Sequence, residues 1–273
     1  MSEPQPVKIY LLPNLMTAGN LLCGFLAILT IFEASLLHGT DPVTALTKYQ
    51  ISLFLILGAF LFDMLDGRVA RMGGFESPFG VQFDSLADLI SFGIAPALLM
   101  IKIVLNDYSR FGWLVAFIYL LCGALRLARF NCIAASGDKE QMKEFMGLPI
   151  PAAAGMVASV TLLMLWIEEG EKQPGIWRVG LPWVMLFLSM MMFSKFKYPS
   201  FKSINWRTQY SIPKLAILVI LIALMVMYYY VAPAIAFMIY LFYGFFRPFV
   251  SARIRKEIED DDESGSPEDS NNS

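Results

Sequence analysis

Charge is scarce in this sequence: 16% of its 273 residues are Asp, Glu, Lys or Arg, against 57% hydrophobic. A soluble domain of this size could not hide the long apolar runs, so the composition excludes one and points to a polytopic α-helical membrane protein. Histidine is scarcer still. The single copy, His38, sits among Gly39, Thr40, Asp41 and Pro42, a turn-like loop with no second His or Cys to complete a metal site. Three cysteines, Cys23, Cys122 and Cys132, have no CxxC spacing and lie in or beside apolar segments. They read as buried structural thiols and give no disulfide framework. No small-residue cleavage site follows the first apolar run, which is expected to be a retained span and not a removed signal. No Ser/His or Cys/His pair is visible, so chemistry by direct displacement is favoured over a protein-bound intermediate.

Against this background the stretch DMLDGRVARMGGFESPFGVQFDSLAD, residues 63–88, stands out. It places Asp63, Asp66, Asp84 and Asp88 in an apolar neighbourhood, where each carboxylate costs at least about 3 kcal/mol at bilayer depth. With helices over 49–72 and 81–104, Asp63 and Asp66 lie three apart with Gly67 and Ala70 continuing the stripe, while Gly80, Asp84 and Asp88 repeat every four. Two carboxylate pairs would then face each other across a tight hairpin. Gly67, Ala70 and Gly80 leave room for backbones or a flat ligand beside them. Four such groups cannot all stay ionised without a compensating positive charge. Two Mg²⁺ or Mn²⁺ ions would supply it, since oxygen-only ligands suit hard cations.

The rest of the chain divides into a polar segment at 1–10, a transmembrane domain at 11–250 and an acidic, low-complexity tail at 251–273 that is expected to be disordered. About eight spans are expected, at roughly 12–35, 49–72, 81–104, 111–135, from about 148, 178–195, 213–230 and 233–250. Pro96 is expected to kink the third. Pro149 and Pro151 suit the start of the fifth, where Ala152 to Gly155 permit close packing. Asn14, Thr17 and Asn20 either cap and pack the first helix or line the polar head of a substrate. Arg126 and Arg129, with Asn131 beyond, either snorkel at a helix end or recognise an anion. With the amino terminus inside, most Lys and Arg fall on cytoplasmic segments, which puts both termini and the acid cluster on the cytoplasmic side. The net charge of −2 reflects an acidic tail masking basic loops. No nucleic-acid partner is expected.

Residues 63–88 match D-x2-D-G-x2-A-R-x8-G-x3-D-x3-D without departure, and in this the chain resembles the CDP-alcohol phosphatidyltransferases. The resemblance implies a six-helix core, a homodimer, and cleavage of a CDP-linked lipid with release of CMP. Carried over by position, it makes Asp63, Asp66 and Asp84 metal ligands and Asp88 a further ligand, the general base, or both. Gly67, Ala70 and Gly80 would leave room for the CDP moiety of CDP-diacylglycerol, with Arg71 steadying the hairpin or a phosphate, and Asn14, Thr17 and Asp66 beside it. LLPNLMTAGNLLCGFLAI, ALRLARFN and GLPIPAAAG resemble the membrane-embedded branch whose acceptor is L-serine. That resemblance spans roughly residues 8–165, the last three spans matching weakly. Arg126, Arg129 and Asn131 are the candidates for the serine carboxylate; if one grips a phosphate instead, the acceptor would be glycerol 3-phosphate or inositol phosphate. Two other functions weigh less. An intramembrane prenyltransferase would show two separated Asp-rich motifs, and an ion-coupled transporter would spread its acids across the bilayer.

Overall fold

The computed structural model describes residues 10–73, 77–136, 147–170, 177–194, 224 and 227–246. Among these the chain is helical, without strands. In order come α1 (Leu11–Leu37), α2 (Pro42–Gly73), α3 (Pro78–Asp88), a π-helical turn (Leu89–Ile94), α4 (Ala95–Ile103), a short 3₁₀ turn, α5 (Ser109–Ser136), α6 (Ile150–Gly170), α7 (Trp177–Phe193) and α8 (Ala232–Phe246). Five segments, 11–37, 42–69, 78–103, 109–134 and 150–168, are long and apolar enough to cross a bilayer, and 178–193 and 232–245 are shorter apolar helices. Most of the expected seventh span (213–223, 225 and 226), the basic stretch after residue 194, residues 1–9 and the acidic tail lie outside the described residues.

Lipid offers no hydrophobic drive to bring helices together, so close contact depends on small and polar residues. α1 follows that rule. Its buried stripe is Pro13, Thr17, Asn20, Gly24, Ala27, Ile31 and Ala34, while Leu15, Leu22, Phe25 and Phe32 face outward. The stripe repeats every three and four residues, so one straight seam runs the helix length. Along it α1 packs on α2 more extensively than any other pair. At Gly24 a Cβ would collide with the Ser91 hydroxyl and come within 2.7 Å of Ser91 Cα, so the seam closes onto the third span only because that position is bare.

Local signals set the helix ends. Asp41 caps α2: its carboxylate accepts from Thr44 N at 3.2 Å and from Thr44 Oγ1 at 2.5 Å, which holds its carboxyl below the usual range. The helix therefore begins at Pro42, a full turn and more before the sequence-based start at 49. Ser77 caps α3, its Oγ accepting from Gly80 N at 3.1 Å with Pro78 in the first helical position. α6 starts at Ile150 between the two prolines. Gly147, at φ +85°, bends the chain onto the end of α7, where Leu148 N donates to Met191 O at 3.0 Å.

The third span is irregular because of Pro96. Proline has no N–H to offer the carbonyl four residues back, Phe92 O. The helix answers by widening into the π turn at 89–94, and Tyr119 Oη on α5 donates to Phe92 O at 3.1 Å. The cysteines depart from expectation. Cys132 is exposed and Cys23 and Cys122 are half-buried, all three free; in a helix whose outside is apolar, an apolar residue need not point inward. His38 is exposed, as the loop reading had it, with its ring edge-on to Tyr49 at 6.5 Å.

Candidate metal and substrate site

The acidic hairpin forms as the spacing predicts. Asp63 and Asp66 lie on the last turns of α2, Asp84 and Asp88 on α3. One carboxylate oxygen from each of Asp63, Asp66 and Asp84 falls within 4.8 Å of the other two. Asp66 is buried and its two companions half-buried, so the cluster opens to one side. Asp88, one turn deeper, is buried and lies within electrostatic reach of all three.

α1 braces these acids from the side. Thr17 Oγ1 donates to Asp66 Oδ2 at 3.0 Å and shares its proton with Pro13 O at 3.2 Å. Asn20 Nδ2 donates to Asp88 Oδ1 at 3.0 Å, and the backbone carbonyl of Asn20 is itself held by Ser91 Oγ at 3.0 Å. Asn14 Nδ2 is buried without a partner among the described residues, and Asn14 Oδ1 lies 3.6 Å from where a Cβ on Gly80 would stand. A buried amide donor left open costs about 1–3 kcal/mol, which makes Asn14 Nδ2 a candidate donor to a bound group. The two readings of the Asn14, Thr17, Asn20 row thus divide: Thr17 and Asn20 grip carboxylates, and Asn14 stays available beside the hairpin.

The predicted acceptor residues do not share one environment. Arg126 is turned inward, within electrostatic reach of Asp88, Tyr240 and Asp63, whereas Arg129 is exposed. Asn131 is tied to α3: its Nδ2 donates to Gln82 Oε1 at 3.2 Å and to Ser85 Oγ at 3.0 Å, and its Oδ1 lies 3.1 Å from the same hydroxyl. The side chains of Ala70 and Arg71 lie outside the described residues; Gly67 is half-buried on α2. Asn20 was read from the sequence as packing the first helix or lining a substrate's polar head, not as a partner of Asp88, and Tyr240, on α8, carries no local signal.

The donor set suits a divalent ion. Three all-oxygen ligands converge from two helices inside an apolar bundle, and Arg126 lies within electrostatic reach of Asp63 and Asp88.

Comparison with known proteins defines the class. The CDP-alcohol phosphatidyltransferase family model matches residues 10–194, and the chain belongs to that family. Among its relatives, the CDP-diacylglycerol–serine O-phosphatidyltransferase of Helicobacter pylori (strain ATCC 700392 / 26695) is 36% identical over 244 residues, covering 88% of this chain and 91% of that protein. The archaetidylserine synthase of Methanothermobacter thermautotrophicus is 34% identical, covering 73% and 74%. The CDP-diacylglycerol–serine O-phosphatidyltransferase of Bacillus subtilis is 34% identical, covering 70% of this chain and 91% of that protein. A match over 88% of the chain must reach α8, beyond the residues 8–165 whose motifs carry the resemblance in the sequence.

Proposed function

We propose that this chain transfers the phosphatidyl group of CDP-diacylglycerol to the hydroxyl of L-serine, giving phosphatidylserine and CMP. The observation that carries the reading is the convergence of Asp63, Asp66 and Asp84 within 4.8 Å, above a buried Asp88. Two divalent ions, Mg²⁺ or Mn²⁺, held by these four carboxylates would neutralise the diphosphate and the charge that develops on departing CMP. The names of the Helicobacter and Bacillus relatives support serine as the acceptor.

The chain's own residues prepare the reaction in three ways. Thr17 fixes the Asp66 carboxylate, so one ligand keeps its orientation before anything binds. Asn14 Nδ2, beside bare Gly80, offers a donor to an oxygen of the CDP moiety. Asn20 occupies one oxygen of Asp88 and leaves the other to accept the serine hydroxyl proton. The serine oxygen attacks the phosphorus bearing diacylglycerol; the new P–O bond forms as the bond to CMP breaks, and CMP leaves with that electron pair. Base assistance of this kind is typically worth about 10²–10⁴-fold. Arg126, facing Asp88 and Asp63, is placed to receive the serine carboxylate. The site opens at the cytoplasmic edge of the membrane, where the positive-inside rule puts it and where serine and CMP are soluble.

The test is CMP release from CDP-diacylglycerol by the purified protein with L-serine or glycerol 3-phosphate, with and without a divalent ion. Serine-dependent, divalent-dependent release is expected. Release with glycerol 3-phosphate alone would move the acceptor, and turnover indifferent to chelation would remove the metal reading.

A further inference from the structure

α8 lies beyond the residues that define the family, yet it is built into the site. Two aromatic pairs fix how it and the turn before it lie on α2: Phe54 with Tyr229 at 5.9 Å, and Phe60 edge-on to Phe237 at 5.4 Å. Numbers rise together on both partners, so the chain leading into α8 runs parallel to α2 and approaches the same end of the bundle. Phe237 is seated tightly. Its ring fills the space beside Gly155 on α6, where any Cβ would overlap it. One helical turn further on, α2 reaches Asp63 and α8 reaches Tyr240. Tyr240 packs half-buried against the core and lies within electrostatic reach of Arg126, which also faces Asp63 and Asp88. Its neighbour Ile239 points outward, 64% exposed.

The Bacillus relative differs from this chain in length. The same alignment covers 91% of that protein but 70% of this chain, so that protein is shorter.

We propose that Tyr240 is a positioning residue for the acceptor: α8 brings its phenol against Arg126 and holds that guanidinium toward the carboxylates, where it meets the acceptor's anionic group. This rests on the acceptor site proposed above. The consequence is selective. Loss of the hydroxyl loosens Arg126, weakens acceptor binding, and leaves CDP-diacylglycerol and the metal cluster untouched.

The experiment compares wild type, Tyr240→Phe and the outward-facing control Ile239→Ala, measuring kcat and KM separately for L-serine and CDP-diacylglycerol, with thermal stability in the same detergent. Tyr240→Phe is expected to raise the KM for serine about tenfold, the scale of one hydrogen bond to a charged group, with kcat, lipid KM and stability near wild type. Ile239→Ala should change none of them. An unchanged serine KM in Tyr240→Phe, or an equal rise in both KM values together with lost stability, overturns the proposal and leaves α8 a packing element. If wild type proves to use glycerol 3-phosphate and not serine, the serine reading fails, while the same comparison made on that acceptor's KM still decides the role of Tyr240.

Discussion

The two ends of the bundle treat charge in opposite ways. At the end away from the site, acids come with their cations: Lys48 Nζ meets Glu33 Oε2 at 2.7 Å, and Arg178 grips Glu168 with Nε and Nη2 each 3.0 Å from a carboxylate oxygen. At the other end Asp63, Asp66, Asp84 and Asp88 are crowded together, with Arg126 turned toward two of them. There the acids converge on one another, with an oxygen of each of Asp63, Asp66 and Asp84 within 4.8 Å of the other two. Paired charges hold helices together; a clustered excess of one sign is a place kept for a charge from outside.

The most severe way to break this contrast is to remove a carboxylate from the cluster. Asp84→Asn should lower CMP release by at least about 10³-fold, because a metal ligand is lost while the hairpin keeps its shape. In chelator the same variant should melt at or above the wild-type temperature, since one like charge is gone. A clear drop in the metal-free melting temperature would mean that the acids stabilise the fold as the far-end pairs do. A smaller loss follows from Asn20→Ala, which leaves every ligand in place but frees Asp88 to turn. Supports of this kind typically matter by about 10–100-fold, and kcat is where it should show, with the metal requirement retained. Smallest is Glu168→Gln at the far end. Activity should not change, and stability should fall by about 1 kcal/mol, the scale of a partly exposed ion pair; altered kinetics would erase the division between the ends.

How far the sequence foretold this depends on whether a feature is local. The hairpin was legible because helical spacing puts Asp63 beside Asp66 and Asp84 above Asp88 whatever else the bundle does. The prolines around Ile150 marked a helix start correctly for the same reason, a bond made within one turn, whereas the third span, expected from 81, begins at Pro78 behind the Ser77 cap. The start of α2 was set too late because the cap at Asp41 precedes the apolar run, and a hydropathy reading sees only the run. Pro96 announced an irregularity, yet its form, a π turn with Tyr119 closing on Phe92 O, depended on a residue 27 positions away. Arg126, Arg129 and Asn131 were grouped by their closeness in the sequence. Three neighbours in sequence face three settings: the carboxylates, the exposed surface and α3. Tyr240 could not be seen at all, because only the packing of α8 on α2 and α6 brings it to the site.

The claim on which everything turns is that the acid cluster holds two divalent ions close together. Mn²⁺ titrated into purified wild-type protein and into Asp84→Asn, followed by electron paramagnetic resonance, asks this directly. Two ions per chain with a spin-coupled spectrum, lost in the variant, is the expected result. Wild-type protein that takes up no Mn²⁺, or binds it identically with and without Asp84, would contradict the account.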